Sequence, residues 1–351
     1  MIRKVRRLFT MRPSELLWRA RHTYIVQQER VAFNLGLYEW PERVWKRRIC
    51  RNIRDDPAPD KLAEWWQHHM RSRHEPAFLL DSQELVKSAL LYPSLFPGRL
   101  DSLFETADRI CLGKFSFLGI DLQTGSEIKW KQDPITRRDW PGMFYANLNV
   151  PFCEGTDPVE TPGDSKHVWE LNRHEFLVDC AKAYYLSGND KYAERVIQLV
   201  THWVSANPYL EGINWAGPLE VALRSMAWLW AYQFCRTWKN MSADDLYSWI
   251  KSFYQHGHYL NRHLEVYSSP NNHLVGEATA LYLLGSFFPE FDDSEIWRAH
   301  AWQILAIQPR RQFYPDGEAP SRRHPTITIA SVSSYLRCSL ACGNNSQSPL
   351  V

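Results

Sequence analysis

The chain has no excess of one charge: 41 Lys and Arg stand against 39 Asp and Glu, a formal net charge of +2 over 351 residues. That balance gives no reason to invoke nucleic acid or an anionic membrane as the main partner, so any anion has to be recognised locally. Nor is there a cysteine framework. Cys50, Cys111, Cys153, Cys180, Cys235, Cys338 and Cys342 are scattered, odd in number and without metal-type spacing, which speaks against a disulfide scaffold and against a cysteine zinc site. Cys180 and Cys235 fall on apolar helix faces and are expected in the core. A long apolar run is missing too. The opening Met1-Ile2-Arg3-Lys4-Val5-Arg6-Arg7-Leu8-Phe9 is basic, but Arg12, Glu15 and Arg19 follow too soon for a signal peptide or a membrane-spanning helix.

What the chain does have is apolar and aromatic bulk. It is 44% hydrophobic and 14% aromatic, enough to bury one large core with a smaller N-terminal appendage. Sixteen Trp and sixteen Tyr exceed ordinary core use, because each carries a polar N–H or O–H that needs a partner. Aromatic platforms in a carbohydrate cleft and bulky core filling account for the surplus equally well.

Periodicity predicts an all-α protein. Residues 14–35 read as an amphipathic helix, whereas Pro41 to His69 shows no single period. Between Cys111 and Trp140 the alternation of Phe115 and Phe117, with turn residues Gly119, Gly125 and Asp133-Pro134, predicts a short extended hairpin. From Trp169 onward the spacing is helical. Phe176, Leu177, Cys180, Ala181 and Tyr184 share one face, stopped at Gly188-Asn189, and Tyr192 to Val204 repeats the pattern up to Asn207-Pro208. Further helices are predicted over Pro218–Trp238, from a Ser242-x-x-Asp245 cap onward, over Asn272–Phe287 and over Ser294–Ile307. Successive helices joined by short breaks make antiparallel hairpins, and a series of them curls into an α/α toroid or packs as a plain bundle. The organisation expected is an N-terminal helical region (1–110), a toroid body carrying the cleft (111–317) and an irregular tail (318–351).

Four polar clusters interrupt the apolar periodicity. Trp169-Glu170-Leu171-Asn172-Arg173-His174 groups an aromatic, a carboxylate, an amide, a cation and an imidazole; capping and surface ion pairing are its structural alternative. Gly212-Ile213-Asn214-Trp215 precedes Glu220 and Arg224 at i, i+4 spacing. It reads either as a turn with an exposed ion pair or as a sugar-contacting Asn214 and Trp215 with Arg224 facing a carboxylate. Ser268-Ser269-Pro270-Asn271-Asn272-His273 runs into Glu277, with Asn271 expected as the helix cap and Asn272 and His273 just inside the helix. The fourth, Tyr314-Pro315-Asp316-Gly317-Glu318, is a turn.

In order and spacing these clusters resemble the heparinase II/III and alginate lyase-like family, with its Trp-Glu-x-Asn-Arg-His, Gly-Ile-Asn-Trp, Asn-His-x-x-x-Glu and Asp-Gly motifs, over roughly residues 110–317. The resemblance implies an incomplete α/α toroid followed by a β-sandwich, and β-elimination on a uronate-containing polysaccharide that is heparan-like, alginate-like or an exopolysaccharide. The proton at C5 is removed and the C4 oxygen expelled, which requires the uronate carboxylate to be neutralised. By similarity Asn272 neutralises that carboxylate and His273 helps bind or takes part in proton transfer. Trp169, Glu170, Asn172, Arg173, His174, Asn214, Trp215, Glu220, Arg224 and Glu277 would bind substrate. No cofactor or metal is expected, the partner is an acidic polysaccharide, and family members are commonly periplasmic or secreted.

The family also supplies a Tyr, in a Ser-Pro-x-Tyr-His stretch after the Asp-Gly turn. Here the sequence runs Glu318-Ala319-Pro320-Ser321-Arg322-Arg323-His324-Pro325-Thr326-Ile327-Thr328-Ile329, with no Tyr in place, and the β-sandwich is expected to be absent. Codons for His324 to Thr328, read from their third base, permit Ser-Asn-Tyr-His, so a frameshift near Gly317 and a genuinely shortened relative are both compatible with this end. Weak or absent turnover is the expectation. A non-catalytic glycan-binding protein, and an inverting glycoside hydrolase using two of Glu170, Glu220 and Glu277, are the alternatives.

Overall fold

The computed structural model describes residues 11–50, 57–73, 82–125, 127–150 and 161–308. The expected irregular tail, its proposed frameshift and the Tyr314–Glu318 turn lie outside these residues. Twelve α-helices are described: α1 (Pro13–Asn34), α2 (Glu42–Ile49), α3 (Leu62–Ser72), α4 (Ser82–Leu95), α5 (Arg99–Cys111), α6 (Ser165–Asn172), α7 (Glu175–Ser187), α8 (Asp190–Ala206), α9 (Pro218–Cys235), α10 (Ala243–His263), α11 (Asn272–Phe287) and α12 (Ser294–Leu305). The only strands among the described residues, β1 (Lys114–Phe117) and β2 (Ile120–Gln123), form an antiparallel hairpin with Phe115 opposite Leu122. This is the hairpin expected within 111–140. It turns through Leu118 and Gly119, both at positive φ, and seats Phe115 against Phe176 of α7, with ring centroids 4.8 Å apart.

The helices alternate between two layers. α5, α7, α9 and α11 pack side by side, each separated in sequence from the next by an outer element, while α8, α10 and α12 cover them from outside and α3 lies on α10. This is an incomplete α/α toroid, as expected. Its inner helices are enclosed nearly all round: 14 of the 18 residues of α9 and 12 of the 16 of α11 are buried. Such helices lose the polar stripe of a surface helix because both faces meet protein. Boundaries follow local chemistry. Asn189, Ser242 and Asn271 cap α8, α10 and α11 by accepting from backbone N–H groups, and Pro218 occupies the first turn of α9, where no N–H is needed.

The aromatic surplus is spent on the core. Eleven of the sixteen Trp are buried, among them Trp66, Trp203, Trp228 and Trp297 at 0% exposure, so filling the gap between layers accounts for most of them. Cys180 and Cys235 are in the core as expected. No helix among the described residues is long and apolar enough to cross a membrane.

A close approach between α10 and α12 depends on Gly257, in the middle of α10. A Cβ there would stand 2.3 Å from the ring of Trp297, which is wholly enclosed. Gly257→Ala should therefore lower stability by about 1–3 kcal/mol, read as the denaturation midpoint. An unchanged midpoint would mean that α10 and α12 are not locked at this point.

Candidate functional site

The clusters predicted from sequence fall into three groups. The first is enclosed. Asn172, His174, Asn214 and Arg224 are 0% exposed and Trp215 is 1% exposed. The Arg224 guanidinium donates through Nε to His256 Nε2 (2.9 Å), and through its terminal nitrogens to the carbonyls of Asn172 (3.2 Å) and Asn214 (3.0 Å). It also lies 4.2 Å from the centroid of Trp203. Asn172 donates to the carbonyls of Trp130 and Val168 and accepts from Trp203 Nε1 at 2.7 Å. Asn214 donates to the Trp130 carbonyl and to Asn207. His174, at φ 62°, forms the left-handed link from α6 to α7 and accepts from Trp228 Nε1 at 2.8 Å.

The reading of Asn214 and Trp215 as a sugar-contacting pair, with Arg224 facing a substrate carboxylate, and its alternative of a turn with an exposed ion pair, both meet an enclosed arrangement here. All three are sealed from solvent, as are Asn172 and His174; most of their polar atoms are taken up by backbone and neighbouring side chains, while Asn214 Oδ1 and His174 Nε2 have no hydrogen-bond partner among the described residues. Burial pushes Arg224 down to about 9, with Glu220 and Tyr259 opposing the shift. It pushes His174 and His256 well below their ordinary range, with Arg224's charge acting the same way. Both imidazoles are thereby held neutral and able to accept.

The second group is half open. Arg173 donates to both oxygens of Glu220 (2.7 and 3.2 Å) and to Glu170. The i, i+4 pair of Glu220 with Arg224 is not formed, because Arg173 reaches across from α6 and takes Glu220 bidentately. Arg173's own pKa is pressed down by burial, but the Glu220 ion pair outweighs this and raises it; burial raises that of Glu170. Glu170 lines a cleft of ≈ 370 Å³ with Arg109, Lys114 and Glu175. Trp169 is 7% exposed and donates from its indole to the Ile213 carbonyl.

The third group lies where α10 ends and α11 begins. Asn271 caps α11 by accepting from the His273 N–H, which places Asn272 and His273 in the first turn, both partly exposed. Among the described residues the Asn272 side chain has no hydrogen-bond partner. His273 Nδ1 is 2.8 Å from Glu265 Oε2. Glu277, one turn along and 0% exposed, accepts from the Glu265 N–H at 2.8 Å through Oε2, while its Oε1 has no partner. Burial, reinforced by the charge of Glu265, pushes the Glu277 carboxyl well above its usual range, so it holds a proton.

Beside this group stands a set of residues that periodicity did not single out. His263, in the last turn of α10, pairs with Glu29 of α1 at 3.0 Å. Glu29 also accepts from Tyr145 (2.9 Å) and Arg262 (2.9 Å). His263 Nδ1 lies 3.3 Å from His22 Nε2, and Trp18 stacks on His22 with centroids 5.2 Å apart. The signal available in sequence was weak, a Glu and a His on the inner face of an otherwise unremarkable amphipathic helix. Burial alone would raise Glu29, but the His263 charge and hydrogen bond, with Arg262 and Tyr145, overcome it and hold the carboxyl down at about 2.

An alternating two-layer arrangement of inner and outer helices, with Asn272 and His273 opening an inner helix, defines the class: an incomplete α/α toroid. The chain belongs to the heparinase II/III N-terminus family, whose model matches residues 61–344. It is 28% identical over 225 residues to a heparin-sulfate lyase of Bacteroides thetaiotaomicron, covering 61% of this chain and 32% of that protein. To a heparin-sulfate lyase of Bacteroides stercoris it is 27% identical over 175 residues, covering 44% of this chain and 26% of that one. The chain thus spans between a quarter and a third of the length of these relatives. Among solved structures it resembles a heparinase III with methylated lysines (TM-score 0.59, 19% identity, 87% of this chain and 46% of that chain). It also resembles a heparan sulfate lyase of Pedobacter heparinus (TM-score 0.51, 19% identity, 80% and 43%). These likenesses establish the fold.

Two outcomes test the geometry. Arg224→Lys keeps the charge but cannot reach His256 and both carbonyls at once, so it should cost on the order of 2 kcal/mol in unfolding free energy; an unaltered melting temperature would remove Arg224 from its central place. Glu29 has a folded-state pKa below its unfolded one. Its contribution, on the order of 3 kcal/mol, is therefore fully present above about pH 4.5 and lost as pH falls toward about 2. The stability gap between the wild type and Glu29→Gln should accordingly narrow across that window, whereas a gap independent of pH would show that Glu29 is not held ionised.

Proposed function

We propose that this chain supplies the helical half of a lyase that cleaves uronate-containing polysaccharides by β-elimination, with a heparan-sulfate-type chain as the first substrate to test. One observation carries the reading: Asn272, partly exposed and without a protein partner, lies beside a His273 whose Nδ1 is held by Glu265, at the N-terminal end of an inner helix.

A uronate carboxylate placed there meets the Asn272 amide and the positive end of the α11 dipole. Both withdraw charge from the carboxylate and make the C5 proton easier to remove. His273, oriented through Nδ1, has Nε2 left to assist that proton transfer. The C5–H electrons form the C4–C5 double bond, the C4–O bond breaks, and the departing oxygen takes up a proton. Membership of the heparinase II/III family and similarity to heparin-sulfate lyases support this reading. So does the ion cluster of Glu170, Arg173 and Glu220, which offers polar contacts to the flanking sugars; Asn172, His174, Asn214, Trp215 and Arg224 would act by holding the scaffold.

The test is ultraviolet absorbance of the unsaturated uronate ends released from heparan sulfate. Slow turnover is expected, since the stretch Glu318–Ile329 offers no Tyr, and Asn272→Ala should lower it by about 10²–10³. Saturated product ends, or an Asn272→Ala rate equal to the wild type, would overturn the proposal.

A further inference from the structure

We propose that Glu265, His273 and Glu277 form a binding site for one divalent transition-metal ion. One ligand atom from each residue falls within a set whose members all lie within 4.8 Å of one another. Modest side-chain movement brings such atoms to the separation of about 3.4 Å that tetrahedral ligands around a metal adopt. The second observation is independent of the cluster's composition: Glu277 is wholly enclosed, and its Oε1 meets no donor, only the neighbouring carboxylate of Glu265. A buried carboxylate oxygen without a partner is costly to leave so.

The surroundings favour a cation. Glu265 and Glu277 approach closely enough for the Glu265 N–H to bind the Glu277 carboxylate. Among the described residues the only ion-pair partner of either is His273, with no Lys or Arg salt-bridged to them. A proton shared within the cluster answers this charge, as the raised Glu277 pKa requires; a metal ion answers it by displacing that proton. Two carboxylates and one imidazole are an oxygen-rich, nitrogen-containing donor set suited to manganese or zinc rather than to thiophilic copper(I). The site is half built in advance. Glu277 is anchored through Oε2 and so presents Oε1, and His273 already presents Nδ1 toward Glu265. This inference stands on the cluster itself and holds whether or not β-elimination is the reaction.

The experiment uses the full chain freed of metal with a chelator and titrated with Mn²⁺, followed by the loss of the free-ion electron paramagnetic resonance signal. Manganese avoids the free thiols, which would capture zinc. One site per chain is expected in the wild type, weakened at least about tenfold in Glu277→Gln and in His273→Ala. Glu290→Gln, altering the separate pair with His69 and Arg73, should bind as the wild type does. Glu277→Gln is isosteric and keeps an acceptor for the Glu265 N–H, and the melting temperatures of the metal-free variants report on their folding. No bound Mn²⁺ in the folded wild type, or the same site in both variants, would overturn the assignment and leave the shared proton as the whole account.

Discussion

Everything around the toroid's interior depends on one buried cation. Arg224 has no carboxylate partner among the described residues, so its cost of burial is offset by three hydrogen bonds and by the face of Trp203. Those partners belong to α6, α8, α10 and the loop before α9. The guanidinium fork is rigid, so all four must arrive in one arrangement to satisfy it. The neighbouring amides carry the same logic outward. Asn172 and Asn214 both donate to the Trp130 carbonyl, which pins the long segment after the hairpin onto the helical body. Arg224 and Asn172 are satisfied at every side-chain nitrogen and oxygen, which favours a single packing, whereas Asn214 Oδ1 and His174 Nε2 have no partner among the described residues.

Tyr259 connects this interior to the rim. Its hydroxyl donates to the Trp215 carbonyl at 2.5 Å, and its ring stacks on His263 with centroids 4.3 Å apart. His263 in turn pairs with Glu29, which ties α1 onto the end of α10. The N-terminal helix is thus fixed by charge and hydrogen bonding more than by apolar contact, for only Ile25 and Glu29 along its 22 residues are buried. That is also why it reads so plainly as a surface helix: beside Ile25 and the partly buried Val26 and Phe33, its most heavily bonded residue is a polar one, which periodicity does not weigh.

Much of the fold was legible. Caps at Ser242 and Asn271, the stop at Gly188-Asn189 and the 3.6-residue spacing of 176–204 are local signals, and the helices appear where those signals put them. The break between α6 and α7 was not legible, because it falls at His174, a residue with no special claim on positive φ; tertiary packing against Trp130 and Trp228 holds it there. The polar clusters were legible as unusual but ambiguous in meaning. A Trp-Glu-x-Asn-Arg-His run looks the same whether its amide faces a sugar or a buried carbonyl, since sequence carries no information on which side of the helix becomes solvent. Glu265 escaped notice for a related reason: it lies in the loop between α10 and α11, and its partner His273 is on the next helix, so no single helix pattern links them.

The rim's electrostatics follow from these placements. On the proposed reading, an acidic polysaccharide approaching Asn272 would meet the favourable end of the α11 dipole, but also Glu265, which is paired with the adjacent His273 and has a charge of the polysaccharide's own sign. The dipole contributes about 0.3–1 kcal/mol for a charge near its end, no more than one exposed like charge takes away. The balance is therefore set by what neutralises Glu265. A proton shared with Glu277, or a metal ion in its place, would turn the cluster from repelling an anion to tolerating one. Glu277 is what makes the balance adjustable: buried and anchored at one oxygen, it cannot swing away to water, so whatever cation the cluster holds remains beside the carboxylate that Asn272 would receive.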